Sequence, residues 1–588
     1  MKSYYYSMYK KLFMGVAIMA TCISTSAQTL AKEFKGTSSG NPISGSVFCA
    51  DPTSLEYNGR LYVYGSNDHQ EFIAKGKTGE NDYGDIKSIV VFSTDDMVNW
   101  TFHGTIDTQK LCSEWHPSAW YKGYGVSWAP SVTWRTYKRQ GDMFFLYFCN
   151  SSHGVGVLKA SSPLGPWTSP LEELMIHYDT PGANPQGTNA NFDPGVTIDD
   201  NGVGWLSFGG LGPSRLMPEA ARIVKLKSSM STIDGSAVKI PAPYHFEANE
   251  LNVIGGKYVY TYCSNWADRN ATASEWNAYK KEKGITLSAP GTCTMCYMVS
   301  DDPMNPDSWV YKGVYGPHPQ NGTNNNHSHL QKFQGNYYHL YHNGALKESM
   351  KNAKAIDSSV GIYRSLCVNQ ATVNEETATI NVVTLSTTGP KAIKNLNPYD
   401  LQQAETMATS GGIDYEDFTN IKQNTMVSTL GNDASENMQV KMKAGSWMQL
   451  RNADFGTTGA AKFMVRAKGE GTIEIRLGTK TATAAATINI ASTSMSNNTF
   501  DIDAAKFQGV SHIYIVATAA TDLYLDAWQF TEADPSGIQT LESARPVKVQ
   551  RYNLFGRRLS GAQQHRGIVI EQYVDENGVS HSRKVLAD

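Results

Sequence analysis

Asn58-Gly59-Arg60-Leu61-Tyr62-Val63-Tyr64 is the stretch on which the fold turns. Asn-Gly suits a two-residue hairpin turn, whose central residues take positive φ, and the alternation after it has the period of a half-buried strand. The same pattern returns as Gly141-Asp-Met-Phe-Phe-Leu-Tyr147, Asn201-Gly202-Val-Gly-Trp-Leu-Ser-Phe208, Gly255-Gly256-Lys-Tyr-Val-Tyr-Thr-Tyr262 and Gln334-Gly335-Asn-Tyr-Tyr-His-Leu-Tyr341. Five copies at uneven intervals predict an all-β fold, a five-bladed β-propeller with variable loops. Three polar turns that close on tryptophan, Ser93 to Trp100, Ser161 to Trp167 and Ser300 to Trp309, read as outer hairpins of blades. An array of β-sandwiches is the alternative, but it leaves the clusters that precede the repeats unexplained.

Those clusters are Ala50-Asp51-Pro52, Trp128-Ala129-Pro130-Ser131, Phe192-Asp193-Pro194, Phe246-Glu247-Ala248 and His327-Ser328-His329. The innermost strand of every propeller blade starts near the central axis, so one cluster per blade converges on one end of the tunnel. Taken singly, an Asp before Pro is a turn residue. Asp199 and Asp200, in Asp-Asp-Asn-Gly, read as hairpin chemistry. Glu247 has a competitor in Glu250, which reads as a structural or substrate-side carboxylate.

Charged residues make up 18% of the 588, against 51 Gly and 31 Tyr, a composition that suits short strands, turns and aromatic carbohydrate sites. A net charge of −3 without a basic stripe gives nucleic-acid binding no electrostatic support. Lys10-Lys11, the apolar run Leu12 to Ala20 and the small residues up to Ala27 predict an export signal over 1–27; the run is too short to span a membrane. Of eight cysteines, seven remain beyond that signal, and Cys293-Thr-Met-Cys296 is a lone C-x-x-C. Buried strand cysteines, with one disulfide at most, are the reading; zinc or redox chemistry lacks partners. The propeller is assigned to 28–386, a linker to 387–397, a β-sandwich (jelly-roll) to 398–532 and a short third piece to 537–588.

In the segments Phe48 to Pro52, Ser127 to Pro130, Phe192 to Gly202, Tyr244 to Ala248 and Asn326 to His329, the chain resembles glycoside hydrolase family 43 over roughly residues 40–385. The resemblance implies a five-bladed propeller that cuts arabinose or xylose from plant cell-wall polymers, usually with inversion. It implies Asp51 as general base, Glu247 as general acid, and Asp193 as the residue that orients Glu247 and raises its pKa. Inversion needs two carboxyls about 6.5–9.5 Å apart, so that water fits on one side of the sugar. Trp128, Phe192 and Phe246 would line the sugar pocket or, as lone aromatics, form core. Arg364 either reaches substrate or is a solvated strand arginine. His327 corresponds to an axial histidine that sits at calcium, although calcium prefers oxygen ligands; the part taken by His329 stays open. Ser131 departs from the Asp found in many relatives.

The second unit resembles carbohydrate-binding module family 6 through Gln403 to Glu405, Gly445 to Leu450, Asp454 to Gly456 and Leu525 to Phe530. That implies Glu405 and Asp526 as calcium ligands and Trp447 as a stacking or core residue; the Asn with which relatives bind sugar is missing. Tyr552 to Leu559, Gly567 to Ile570 and Lys584 to Leu586 look like a sorting domain of the type IX secretion system. The expected protein is a secreted or surface-held α-L-arabinofuranosidase acting on arabinoxylan. A β-xylosidase or an endo-acting arabinanase or xylanase is the alternative within the class, and a propeller that only binds glycans the alternative outside it. Specificity is assigned to the loops 68–87 and 266–290.

Overall fold

A computed structural model describes residues 29–76, 79–113, 115, 125–265, 272–322, 325–421 and 437–534, with the strands Lys548–Tyr552, Arg558–Leu559, Gly567–Val574 and Ser580–Ala587. The expected export signal lies outside the described residues, and those four strands of the third piece form one sheet. No helix among the described residues is long and apolar enough to cross a membrane.

Each repeat becomes the second strand of one blade, antiparallel to the innermost strand that precedes it. The pairs are Ala50–Tyr57 with Arg60–Ser66, Trp128–Tyr137 with Gly141–Cys149, Gly195–Ile198 with Gly204–Phe208, His245–Ile254 with Lys257–Ser264, and Ser328–Phe333 with Asn336–Asn343. Three of the turns hold positive φ at both central residues: Asn58 and Gly59 (51° and 75°), Gly255 and Gly256 (59° and 75°), Gln334 and Gly335 (47° and 78°). That geometry matches the right-handed twist of the flanking strands. Trp100, Trp167 and Trp309 are buried where the outer hairpins close.

The five innermost strands touch one another in a closed cycle, the fifth returning to the first. Closure is locked by the segment before the first blade, which runs beside Ser365–Ala371, the outer strand of the fifth. The Asn41 amide donates to Val368 O (2.8 Å) and accepts from Val368 N, Ile43 N donates to Leu366 O (2.8 Å), and Cys49 N donates to Arg364 O (2.9 Å).

Three blades begin with a register slip, and four with a residue in the left-handed region. Register slips between Ala50 and Thr53, between Trp128 and Ser131, and on both sides of Glu247. Asp51 (φ 49°), Ala129 (41°), Asp193 (49°) and Ala248 (63°) sit in the left-handed region beside these kinks. Bulges of this kind re-aim side chains that a regular strand would alternate between faces.

The second unit is a β-sandwich around Phe455, Phe463, Phe507, Trp528 and Phe530. It is not tethered loosely. Thr406–Met407 pairs antiparallel with Trp100–Asp107, so a strand of this unit extends the first blade. Phe102 of that blade packs edge-on against Phe418, ring centroids 5.0 Å apart. The expected linker 387–397 is bonded on both sides: Thr387 O accepts from Gly40 and Asn41, Ile393 N donates to Asp96 O, and Leu396 N donates to Asn452 O. Residues 29–35, counted with the propeller in the sequence, lie on the sandwich through Ala31 N to Gly445 O and the Glu33–Gly411 bridge. The seven described cysteines are buried, and no disulfide joins them to one another.

A shared core has a thermodynamic consequence. Truncating a buried Phe costs about 3–5 kcal/mol, so Phe418→Ala should lower one common calorimetric transition for both units. Two transitions, of which only the sandwich's moves, would contradict the shared core.

Candidate active site

The kinked beginnings of the inner strands bring Asp51, Trp128, Phe192, Asp193, Glu247 and His327 to one end of the axis, around a cavity of about 420 Å³ that Arg364 also lines. That volume suits a small ligand. Asp51, Asp193 and Glu247 are all nearly buried, yet their surroundings differ.

Asp51 is the carboxyl with a cation. Its Oδ1 accepts from Arg364 Nη1 at 2.7 Å and its Oδ2 from Ser66 Oγ at 2.7 Å. Burial acts to raise its pKa, but the Arg364 guanidinium above all, helped by the Ser66 hydroxyl, outweighs it and holds the carboxyl below its ordinary value. The Asp51 backbone N–H donates to His342 Nδ1 (3.0 Å), which leaves the imidazole proton on Nε2, and burial pulls the pKa of His342 down to about 3. Near neutral pH His342 is therefore a neutral acceptor that fixes the kinked backbone.

Glu247 has the opposite environment. Burial first, then the charges of Asp193 and Asp51, push its pKa well above the ordinary carboxylate range. Asp193 is raised too, by burial and then by Asp51, although its Oδ2 accepts from Ala248 N at 2.8 Å. That bond ties Asp193 to the residue after Glu247. Three buried carboxyls that line one cavity do not ionise together, and the one beside the guanidinium ionises first. One ionised and one protonated carboxyl in the same cavity is the equipment for general base and general acid chemistry.

Arg364 is not the solvated strand arginine that was one of its two readings. It is 3% exposed, and Asp68 grips it with Oδ2 on Nε (2.9 Å) and Oδ1 on Nη2 (2.8 Å). Asp68 opens the helix Asp68–Lys75, capped by Asn67, and Arg364 lies 5.0 Å from the ring centre of Tyr83. Asp68, Tyr83, Ser66 and His342 went unread in the sequence. Asn67-Asp68 is legible as a helix start, but nothing local joins it to an arginine 296 residues away.

Trp128 and Phe192, open between wall and core in the sequence, line the cavity, with Trp128 Nε1 donating to Tyr83 O at 2.9 Å. Phe246 does not. It is buried outside the cavity, and its carbonyl accepts from Leu211 N (2.9 Å), so that Leu211 lines the cavity instead. Gly210 makes room for this wall, since a Cβ there would meet Phe192 Cε1 at 2.2 Å. Glu250 is fully buried and away from the cavity, with Oε1 3.0 Å from His329 Nδ1, which gives both residues a structural partner. Ser131 Oγ accepts from Val196 N (3.0 Å) and ties the second blade to the third. Asp199 accepts from Val203 N and Trp205 Nε1 within its hairpin.

The residues expected to hold calcium do not assemble a cage. His327 Nδ1 lies 3.7 Å from Asp51 Oδ1 and 3.9 Å from Asp193 Oδ2. Burial lowers its pKa to about 4, so the ring is neutral and these are not ion pairs. The carboxylate oxygens it faces are already committed to Arg364 and Ala248. In the sandwich, Glu405 Oε1 is buried without a partner, but Asp526 is occupied by Arg466 and by Asn437 Nδ2 (2.8 Å). No group of three or more His, Cys, Asp or Glu side chains fit to hold a metal occurs among the described residues. Set against the about six to eight oxygens that calcium takes, these residues as placed do not fit the ion. Trp447 is core: it is fully buried, its Nε1 donates to Ala31 O, and Lys480 lies 4.7 Å over its ring.

With the geometry in place, likenesses to known proteins are informative. Residues 39–374 match the family described as glycosyl hydrolases family 43, and 403–532 match carbohydrate binding module family 6. An arabinoxylan arabinofuranohydrolase of Paenibacillus polymyxa is 34% identical, covering 87% of this chain and 77% of its own. One of Bacillus subtilis is 32% identical, covering 88% and 98%. The crystal structure of a family 43 arabinoxylan arabinofuranohydrolase from Bacillus subtilis with cellotetraose superposes with a TM-score of 0.71 at 30% identity, over 86% of this chain and 99% of that one.

Removing the guanidinium isolates its effect. In Arg364→Gln, burial is no longer opposed by the nearest positive charge, so the pKa of Asp51 should rise above the ordinary carboxylate value. Carboxyl-carbon NMR titration of labelled protein reads this, and an Asp51 that still titrates low would show that Arg364 is not what holds it.

Proposed function

The chain belongs to glycosyl hydrolases family 43 and is a glycosidase, and from that premise we propose that it removes α-L-arabinofuranosyl groups from arabinoxylan by inverting hydrolysis. The names of the two relatives support the sugar and the polymer. One observation carries the mechanism: of three carboxyls on three blades, only Asp51 has a guanidinium against it. Asp51 is thus the ionised base and Glu247 the protonated acid.

In this reading Asp51 takes a proton from water as its oxygen attacks the anomeric carbon. Glu247 delivers its proton to the glycosidic oxygen as the bond from that oxygen to the anomeric carbon breaks. The sugar leaves with inverted configuration, Asp51 is left protonated and Glu247 ionised, and exchange with solvent restores both. Asp193 acts on Glu247, through its charge and through the bond to Ala248 N that sets the strand beneath it. Trp128 and Phe192 hold the sugar by face contacts, and the buried Arg364 limits how Asp51 can turn. The signal-like residues 1–27 and the sorting-like residues 537–588 support export to the cell surface or beyond.

Two measurements test the assignment. Glu247→Gln should reduce turnover of arabinoxylan by about 10²–10⁴-fold, the usual worth of a general acid, and undiminished turnover would reject Glu247 as the acid. In Asp193→Asn, Glu247 loses a neighbouring charge that raises its pKa. The basic limb of the kcat/KM profile should therefore move to lower pH; a basic limb that stays in place would remove Asp193 from this role.

A further inference from the structure

Where the sandwich meets the propeller lies a second, larger cleft of about 810 Å³. Its walls come from Thr37 and Ser38, from the segment 388–395, and from the sandwich strands Trp447–Asp454 and Val510–Glu532. Lys391, Arg451, Lys480 and His512 line it, and among the described residues that line it there is no Asp or Glu, in a chain whose net charge is −3. The remaining lining is mostly hydroxyl and amide groups, including Thr479, Thr481 and Tyr514.

Arg451 is the centre of this arrangement. Its Nη2 donates to Thr37 O (2.6 Å) and Ser39 O (2.8 Å), and no carboxylate among the described residues lies within ion-pair distance of it. Two carbonyls satisfy donors but leave the charge of this half-buried cation unbalanced. Nearby, Lys35 is buried with its ammonium on Ile43 O (3.0 Å); burial first and then Arg451 lower its pKa, which places the two cations in one electrostatic neighbourhood. Lys480 has Glu33 as a partner (2.6 Å), so Arg451 and Lys391 carry the unbalanced charge. His512 Nδ1 accepts from Asn452 N (3.2 Å), and burial lowers its pKa, which makes it a neutral ring with an Nε2–H donor.

We infer that this cleft is a second saccharide site, one that takes a carboxylate-bearing sugar, a uronosyl unit of the polysaccharide. The planar fork of arginine suits a carboxylate, and Lys391 adds a point charge. The hydroxyl-rich walls suit the ring hydroxyls of a saccharide, and the volume lies within the range of ligand clefts. The choice of a sugar rests on the glycosidase reading of the first cavity, while the demand for an anion rests on this cleft alone.

The test is calorimetric titration of the full chain with a xylotetraose bearing a glucuronosyl branch, beside the same oligosaccharide with its carboxyl reduced to the alcohol. The acidic form should bind at least tenfold more tightly at low salt. Lys391→Glu, an exposed change that should leave hydrolysis of an aryl arabinofuranoside intact, should abolish that preference, as should Arg451→Gln. Equal binding of the two oligosaccharides, or a preference that survives in the folded Lys391→Glu variant, would overturn the inference. Displacement of the acidic sugar by inorganic phosphate at equal affinity would also overturn it, since a plain anion patch would suffice. Because binding is read without turnover, a protein that hydrolyses nothing yet keeps the preference rejects the catalytic reading and not this one.

Discussion

A single guanidinium, buried at one end of the propeller axis, sets the carboxyls around it apart electrostatically. Arg364 touches Asp51 at 2.7 Å and is held in a two-pronged grip by Asp68. Buried ion pairs are poor sources of stability, since desolvation takes back most of what attraction supplies. What the pair provides is a difference: Asp51 ionises readily, while Glu247 in the same cavity keeps its proton. Without that cation, burial would raise all three carboxyls together. Asp68 extends the dependence outward, because the helix it opens and Tyr83 beyond it both bear on the arginine. The segment assigned to specificity is thereby coupled to the base.

The backbone answers the same need. Left-handed residues are costly for anything but glycine, yet Asp51, Ala129, Asp193 and Ala248 adopt that region where the inner strands begin. An unbroken strand would send alternate side chains into opposite inter-blade spaces. The kink aims them along the axis, and the cost is met by fixed partners: His342 on the N–H of Asp51, Asp193 on the N–H of Ala248. The closed ring over-determines these positions, since each inner strand is wedged between two others.

Much of this was legible in the sequence, because the propeller is built from local hairpins. Asn58-Gly59 and Gly255-Gly256 announce their turn type in two residues, and the period-2 strands after them leave little choice of partner. The clusters before the repeats disclosed which ends of the strands meet, although not which carboxyl would be charged. That depends on Arg364 and Asp68, whose sequence neighbourhoods say nothing of each other. Phe246, open between wall and core in the sequence, is core, and the reason it could not be read is related: next to a kink, alternation no longer tells which side faces the cavity. The union of propeller and sandwich was equally hidden, since Thr406–Met407 is too short to read as a strand until the edge of the first blade is there to pair with it. Trp447, an aromatic in a binding-module motif, proves to be core because the residues before the first blade cover it.

The division between an ionised Asp51 and a protonated Glu247 has one direct chemical signature. Under the proposed roles, in which Asp51 activates water on one face of the sugar and Glu247 protonates the oxygen that leaves from the other, the anomeric carbon inverts. Proton NMR of the first arabinose released from an aryl α-L-arabinofuranoside, recorded before mutarotation, should show the β-anomer. An α-anomer as first product would mean a covalent intermediate and a nucleophilic carboxylate, and would contradict the roles given to both residues.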